Sequence, residues 1–170
     1  MKKLFSIIIV MALTFNLPAQ TTGQGSMLVG ATSNFTHSTL TPDGDDGESI
    51  IFLNGQYGYF FADNICGGVG LNYMSVDGEN TTGLGLYGRY YFMEGKMYGH
   101  AGYDTGDYLL YGIPFLPIED YSGINLGVGY CVWLGDNITF EPSLMYTMMN
   151  ADGETLGTIL DIKVGFGVYF

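Results

Sequence analysis

The chain has 170 residues, 47% of them hydrophobic and only 13% charged, and its 17 acidic side chains outnumber five basic ones for a net charge of −12. One domain is expected at this length. Disorder is excluded by the apolar and aromatic content, and a nucleic-acid partner by a charge that repels phosphate with no basic stripe to offset it. Cys66 and Cys131 are too few for a disulfide scaffold.

Lys2 and Lys3 precede an almost wholly apolar run, Leu4 to Leu13, and Leu17-Pro18-Ala19 puts a small residue before Gln20. The pattern predicts a cleavable signal peptide over residues 1–19 and an exported domain over 20–170. The apolar run gives way to Thr14 and Asn16, short of the roughly 20 residues that a spanning helix needs. Cleavage would leave Arg89, Lys96 and Lys163 as the strongly basic residues and a net charge of −14.

Beyond Gly25 the hydrophobic pattern has period two, the mark of half-buried strands. Met27, Val29, Ala31, Ser33 and Phe35 form the first row; Ile51, Leu53, Gly55, Tyr57, Tyr59 and Phe61 the second; Ile65, Gly67, Val69, Leu71 and Tyr73 the third. Leu84, Leu86, Gly88, Tyr90 and Phe92 follow, then Met97, Gly99, Ala101 and Tyr103. The last three are Ile124 to Leu134, Ile138 to Met148 and Leu160 to Phe170, each taken at every second residue. None of the eight rows holds a charge.

The opposite parity carries Asn34, Asn54, Gln56, Asn72, Arg89, His100, Asp104, Asn125, Thr139, Glu141, Asp161 and Lys163, interleaved with glycines. A soluble antiparallel β-sandwich, the competing fold, would put many lysines and glutamates on its polar face. Few charges of both signs suit a narrow closed interior instead, with the apolar rows turned to lipid. Glycines there make room for Tyr87, Tyr91 and Tyr169.

Long connections (Thr36 to Ser49, Asp77 to Thr82, Thr105 to Asp120, Ala151 to Gly157) alternate with short ones (Ala62-Asp63-Asn64, Glu94-Gly95-Lys96, Gly135-Asp136-Asn137). Outer-membrane barrels have short periplasmic turns and longer external loops, so both termini are expected on the periplasmic side. Eight strands of about ten residues account for the length, and a lipid-exposed sheet must close because hydrocarbon tolerates no unpaired edge. Tyr59, Phe61, Tyr90, Phe92 and Phe140 lie near the short-turn end, while Phe35, Tyr73, Tyr103 and Tyr146 lie near the other, as two interfacial girdles would. The expected fold is all-β, an eight-stranded antiparallel up-and-down transmembrane β-barrel.

Tyr59-Phe60 with Asp63-Asn64 before a glycine-alternating strand ending in Tyr73, Phe140-Glu141-Pro142-Ser143-Leu144 with Tyr146, and a final strand ending on Phe170 carry a resemblance. The chain resembles small eight-stranded outer-membrane barrels of the OmpA/OmpX type, and more closely the outer-membrane β-barrel domain proteins of Bacteroidota. The resemblance spans the whole expected mature chain and implies an outer-membrane location, insertion by the barrel-assembly machinery with Phe170 as its recognition signal, and contact with membrane lipid and lipopolysaccharide. It implies little about activity, because the family includes structural, adhesive and unassigned proteins.

Arg89, His100, Asp104, Glu141, Asp161 and Lys163 share the interior and are expected to form an ion-pair cluster. Arg89 is expected to meet Glu141 through a two-bond fork, and Lys163 to use Asp104 or Asp161. A lumen plugged by these pairs implies a structural or surface-binding monomer without catalysis; the alternative is a narrow channel for small solutes. A lipid-modifying barrel enzyme is the third reading. His37-Ser38-Thr39 resembles the His-x-Ser spacing of lipid A deacylating barrels, but Thr39 stands where that pattern has serine. No zinc-type Cys/His spacing occurs, and Cys66 and Cys131 sit on strands too far apart to bridge.

Eleven of the 17 carboxylates fall in the expected external loops, and Asp-Gly-Glu occurs there three times. Asp-Gly is favoured turn chemistry. A sharper expectation is that Asp43, Asp45, Asp46, Glu48, Asp77, Glu79, Asp152 and Glu154 gather calcium or magnesium at the rim, as hard cations take oxygen ligands. No resident cofactor is otherwise expected. If the rim collects calcium, the melting temperature of the folded protein in detergent rises on titration to millimolar calcium; an unchanged value ends that idea.

Overall fold

The computed structural model describes residues 22–34, 50–76, 79–109, 117–151 and 154–170. β1 is Met27–Asn34, β2 Ile50–Ala62, β3 Ile65–Val76, β4 Glu79–Phe92 and β5 Met97–Leu109. β6 runs Pro117–Tyr130 and resumes as Val132–Trp133, β7 runs Ile138–Phe140 and resumes as Ser143–Ala151, and β8 is Glu154–Tyr169. Each strand pairs antiparallel with the next, and β1 pairs with β8, so the sheet closes into an eight-stranded barrel.

The register fixes the barrel's shape. Tyr169 faces Leu28, Leu28 faces Gly58, Gly58 faces Gly68, and Gly68 faces Tyr87. From Tyr87 the walk passes through Gly102, Asn125 and Thr147 and returns to β8 at Ile159, ten residues from its start. A stagger of that size over eight strands of 4.8 Å spacing tilts them by about 40° and leaves an interior wide enough only for side chains.

Side chains alternate as the period-two rows require. Leu86, Leu160 and Ile162 on the row parity are about two-thirds exposed, whereas Leu28, Phe60, Cys66, Tyr87, Tyr91, Tyr98, Cys131 and Tyr169 on the other form the buried core. Leu28, Phe60 and Tyr98 are part of that core although the interior reading centred on polar residues and three tyrosines. Both cysteines are free and buried.

Two expectations are corrected. β6 and β7 are interrupted at Cys131 and at Glu141-Pro142. Pro142 has no N–H for the ladder; its carbonyl still accepts from Tyr130 N (2.9 Å), while Cys131 N turns to Lys96 O (2.7 Å). The long connections are also shorter than the composition suggested. Glu79 to Thr82 belong to β4 and pair with Val76 to Tyr73, and β5 and β6 continue pairing as far as Leu109 and Pro117. Asp107 thus lies in β5, Glu119 and Asp120 in β6, and Glu79 and Glu154 begin β4 and β8. Once two strands are paired, each further residue finds its backbone partner across the hairpin, so the ladder outlasts the change in side-chain polarity.

The aromatic packing makes Gly129 a sensitive position. A Cβ there would enter the Tyr98 ring, which the Arg89 guanidinium (4.2 Å) and the Tyr91 ring (5.6 Å) hold in place. Gly129→Ala is expected to lose about 1–3 kcal/mol in urea unfolding from detergent micelles. The outward Gly99→Ala, which meets nothing within 4 Å, should stay within about 0.5 kcal/mol of the parent.

Candidate functional site

The interior is occupied by two polar layers. In the layer nearer the short turns, Arg89 of β4 and Glu141 of β7 are 4% and 2% exposed, and Arg89 Nη1 donates to Glu141 Oε2 at 2.9 Å. The other arm, Nη2, donates to Gln56 Oε1. The guanidinium therefore bridges a carboxylate and an amide, where a two-bond fork to Glu141 alone was expected.

A second route joins the same two charges. Arg89 Nη1 donates to Tyr91 OH (3.3 Å), Tyr91 OH lies 3.1 Å from Tyr169 OH, and Tyr169 OH donates to Glu141 Oε1 (2.8 Å). Because the Tyr169 proton is used on the carboxylate, Tyr91 must donate to Tyr169, and the chain runs in one direction from cation to anion. Thr139 Oγ1 also donates to Glu141 Oε1 (2.6 Å). The Arg89 guanidinium carbon lies over the rings of Tyr98 (4.2 Å) and Tyr87 (5.5 Å), so its faces meet aromatic quadrupoles while its edge meets oxygens.

Farther from the short turns, amides and hydroxyls form a belt on successive strands. Thr32 Oγ1 donates to Asn54 Oδ1 (3.3 Å) and Asn54 Nδ2 to Asn72 Oδ1. On the opposite wall Thr147 Oγ1 donates to Asn125 Oδ1 (2.7 Å) and Asn125 Nδ2 to Asp104 Oδ2. Asp161 and Lys163 lie two residues apart on the inner parity of β8, where Lys163 faces Asn34 of β1 and Asp161 faces Met145 of β7.

Of the six residues expected to cluster, Arg89 and Glu141 are in direct contact, and Asp104 bonds to Asn125. His100 faces Arg89 across the β4–β5 ladder, but its ring stacks on Tyr87 (5.5 Å, 12° between planes). Gln56, Tyr91, Tyr98, Thr139 and the asparagine belt were not singled out as site residues. Their inward parity was the available signal. Asp43, Asp45, Asp46, Glu48, Asp77 and Asp152 lie outside the described residues, as does His37-Ser38-Thr39; Glu79 and Glu154 are placed as backbone. No group of three or more His, Cys, Asp or Glu side chains able to hold a metal ion occurs among the described residues. Phe170 pairs with Met27 through both backbone groups (N–H to Met27 O 2.9 Å, O from Met27 N 3.0 Å).

The outer wall forms the other surface of interest. Its outward positions carry no charge along the apolar rows, and the change to polar side chains comes at Ser33, Ser75, Thr82, Thr105, Ser122, Asn150 and Thr158, one on each of seven strands. Thr105 faces Ser122 and Ser122 faces Asn150, so this border is continuous across β5, β6 and β7. Eight to ten residues per strand at a tilt of about 40° give an apolar band about 20–25 Å tall, the height of a bacterial outer-membrane hydrocarbon layer.

No protein-family model matches the chain, and neither does any curated protein. Among solved structures it is similar to the N-terminal β-barrel domain of Pseudomonas aeruginosa OprF, at 16% identity and a TM-score of 0.61, over 87% of this chain and 99% of that one. It also matches the outer membrane protein OprG from Pseudomonas aeruginosa (18%, TM-score 0.49, 90% of this chain and 99% of that one). A third match is the Yersinia pestis outer membrane protein Ail (18%, TM-score 0.47, 87% and 99%). The OprF likeness bears on the fold, a small closed barrel matched end to end.

The buried pair yields a direct test. Arg89→Met strands the Glu141 carboxylate among aromatic rings, and a loss of about 3–5 kcal/mol is expected in urea unfolding from micelles. Arg89→Met combined with Glu141→Gln removes both charges and should lose less than that single substitution. A combined loss equal to the sum of the losses of Arg89→Met and Glu141→Gln taken alone would mean that the charges are not coupled.

Proposed function

We propose that this chain is an exported, integral outer-membrane β-barrel protein of the OmpA/OmpX type, structural or surface-binding in role, with a side-chain-filled lumen and no catalysis. The observation that carries the reading is the charge-free outer band. In water, a belt of exposed Leu, Ile, Val, Phe and Tyr around the whole molecule would drive aggregation; in a bilayer it is the solvated face. The OprF likeness supports a barrel of this size, and the two polar layers support a lumen without a continuous aqueous path.

Export would use residues 1–19 as a cleaved signal, and the barrel-assembly machinery would read Phe170. Both termini would face the periplasm, and the acidic connections would meet lipopolysaccharide and its divalent cations outside. The barrel would act as a monomer, since closure leaves no strand edge for a second copy to extend.

The expected result is recovery in the outer-membrane fraction with heat-modifiable migration on a denaturing gel, and no stable unitary conductance in a planar bilayer. Release as a soluble protein without detergent overturns the membrane reading, and a steady current from the parent protein overturns the closed lumen. Depth gives a finer test. Leu86→Arg, in the middle of the band, should lose about 2–4 kcal/mol of stability in lipid, whereas Thr82→Arg at its border should lose about 0–1 kcal/mol.

A further inference from the structure

The short-turn mouth of the barrel is laced together. Asn64 O, in the β2–β3 turn, accepts from Tyr91 N of β4 (2.8 Å); Lys96 O, after β4, accepts from Cys131 N (2.7 Å); Asn137 O, before β7, accepts from Tyr169 N of β8 (2.8 Å). Each turn is thus tied to the hairpin that follows it.

Residues 22–26 join this ring from the amino-terminal side. Ser26 N bonds Gly23 O (3.1 Å) in a tight turn, with Gly25 N donating to Phe60 O (2.8 Å). Gln24 N is capped by Asp63 Oδ1 (2.8 Å), and Gln24 Nε2 donates to Phe61 O (3.2 Å). Thr22 is held twice by Asn64, whose N–H donates to Thr22 O (2.7 Å) and whose Oδ1 accepts from Thr22 Oγ1 (2.8 Å).

Thr22 also reaches the next turn. Gly95 is buried although it lies in a turn, because Thr22 and Trp133 flank the space where its Cβ would stand (3.4 Å to Thr22 Cγ2, 4.0 Å to Trp133 Cζ2). Trp133 in turn packs on Tyr169 at 5.0 Å, and Tyr169 is the hydroxyl that donates to Glu141. Thr22 and Trp133 thus flank Gly95 together, and Trp133 leads through Tyr169 to the buried ion pair.

We propose that Thr22–Ser26 is a latch that closes the short-turn mouth and acts in series with the Arg89–Glu141 plug as a second barrier to water and solutes. It ties β1 to the β2–β3 turn and lies against the β4–β5 turn, so undoing it exposes Trp133 without breaking a strand pair. Releasing one barrier leaves the lumen closed, and releasing both opens it. The inference rests on the closed-lumen reading above.

Trp133 is the only tryptophan in the chain, which makes it a reporter for the latch. The experiment uses the full chain refolded in detergent and then placed in planar bilayers. Thr22→Gly with Asp63→Ala removes two of the three side-chain bonds of the latch, Thr22 Oγ1 to Asn64 and Gln24 N to Asp63. Acrylamide quenching of Trp133 is expected to rise about twofold while heat-modifiable migration is unchanged, as for local opening without global unfolding. Arg89→Ala releases the plug, and conductance is expected only when all three substitutions are combined. Unchanged quenching in a folded latch variant overturns the proposal. So does a combined variant that conducts no better than Arg89→Ala alone. A parent protein that already conducts overturns instead the closed lumen on which the proposal rests.

Discussion

Closure of the sheet is the constraint on which the other features depend. Eight strands with a ten-residue stagger define one tube of fixed width, and each inward side chain must share it with the others at its level. This explains the mixture of glycines and large aromatics on the inner parity. Gly58 and Gly68 stand around Tyr87, and Gly129 stands under Tyr98, so one strand withdraws its side chain where its neighbour extends one. Closure also removes every sheet edge, and with it the need for the charged edge strands that soluble sheets use against aggregation. The scarcity of charge in the composition is then a consequence of architecture.

Within so narrow a tube, ionised groups need partners: Arg89 and Glu141 bond to each other and to neighbouring hydroxyls and an amide, while the buried Arg89 Nε has no hydrogen-bond partner among the described residues. A buried ion pair is weak evidence for net stability, since desolvation offsets most of its attraction. Its effect is on arrangement: Arg89 donates to Glu141, Tyr91 and Gln56, and keeping those acceptors in reach constrains the packing of the surrounding rings. The belt of asparagines and threonines, with the Asp104 carboxylate, does the same. There the bonds run from strand to adjacent strand and reinforce the register that the backbone ladder sets. Polar groups thus constrain the filling of the lumen, while Phe60, Tyr87, Tyr91, Tyr98 and Tyr169 form much of its buried core.

The barrel was legible in the sequence because period two survives in every strand and because one parity holds no charge. Arg89 and Glu141 were legible as partners for a related reason: few strand-borne charges exist, and both lie a similar distance from the short turns. What the sequence concealed depends on the stagger. Gln56 is a nearby acceptor for Arg89 only because β2, β3 and β4 are offset as they are, and parity alone cannot say which of the inward amides falls at that level. The role of His100 was hidden similarly, since stacking on Tyr87 depends on a diagonal neighbour on the adjacent strand. Strand ends were misjudged because polarity was read as loop, whereas hairpins remain paired beyond the apolar band. The break at Glu141-Pro142 had a plain signal in proline.

The two ends of the barrel are built for different conditions. At the short-turn end, non-glycine residues hold left-handed backbone, Asn64 at φ 63°, Met93 at 52° and Glu94 at 57°, and Gly95 follows at 77°. Such conformations are costly for Met and Glu and persist where surrounding bonds over-determine them. The Asn64 and Lys96 carbonyls supply those bonds, each tied to the strand beyond its own hairpin. The buried ion pair lies at this same end, a few residues inside the turns. Charges placed in a low-dielectric interior lose much of their attraction if water reaches them, so the cluster needs a rim that does not open. The rim can be so tight because its turns are only a few residues long and leave little chain to fluctuate. At the opposite end the belt consists mostly of amides and hydroxyls bonded to one another, and the connections can lengthen there without disturbing the plug.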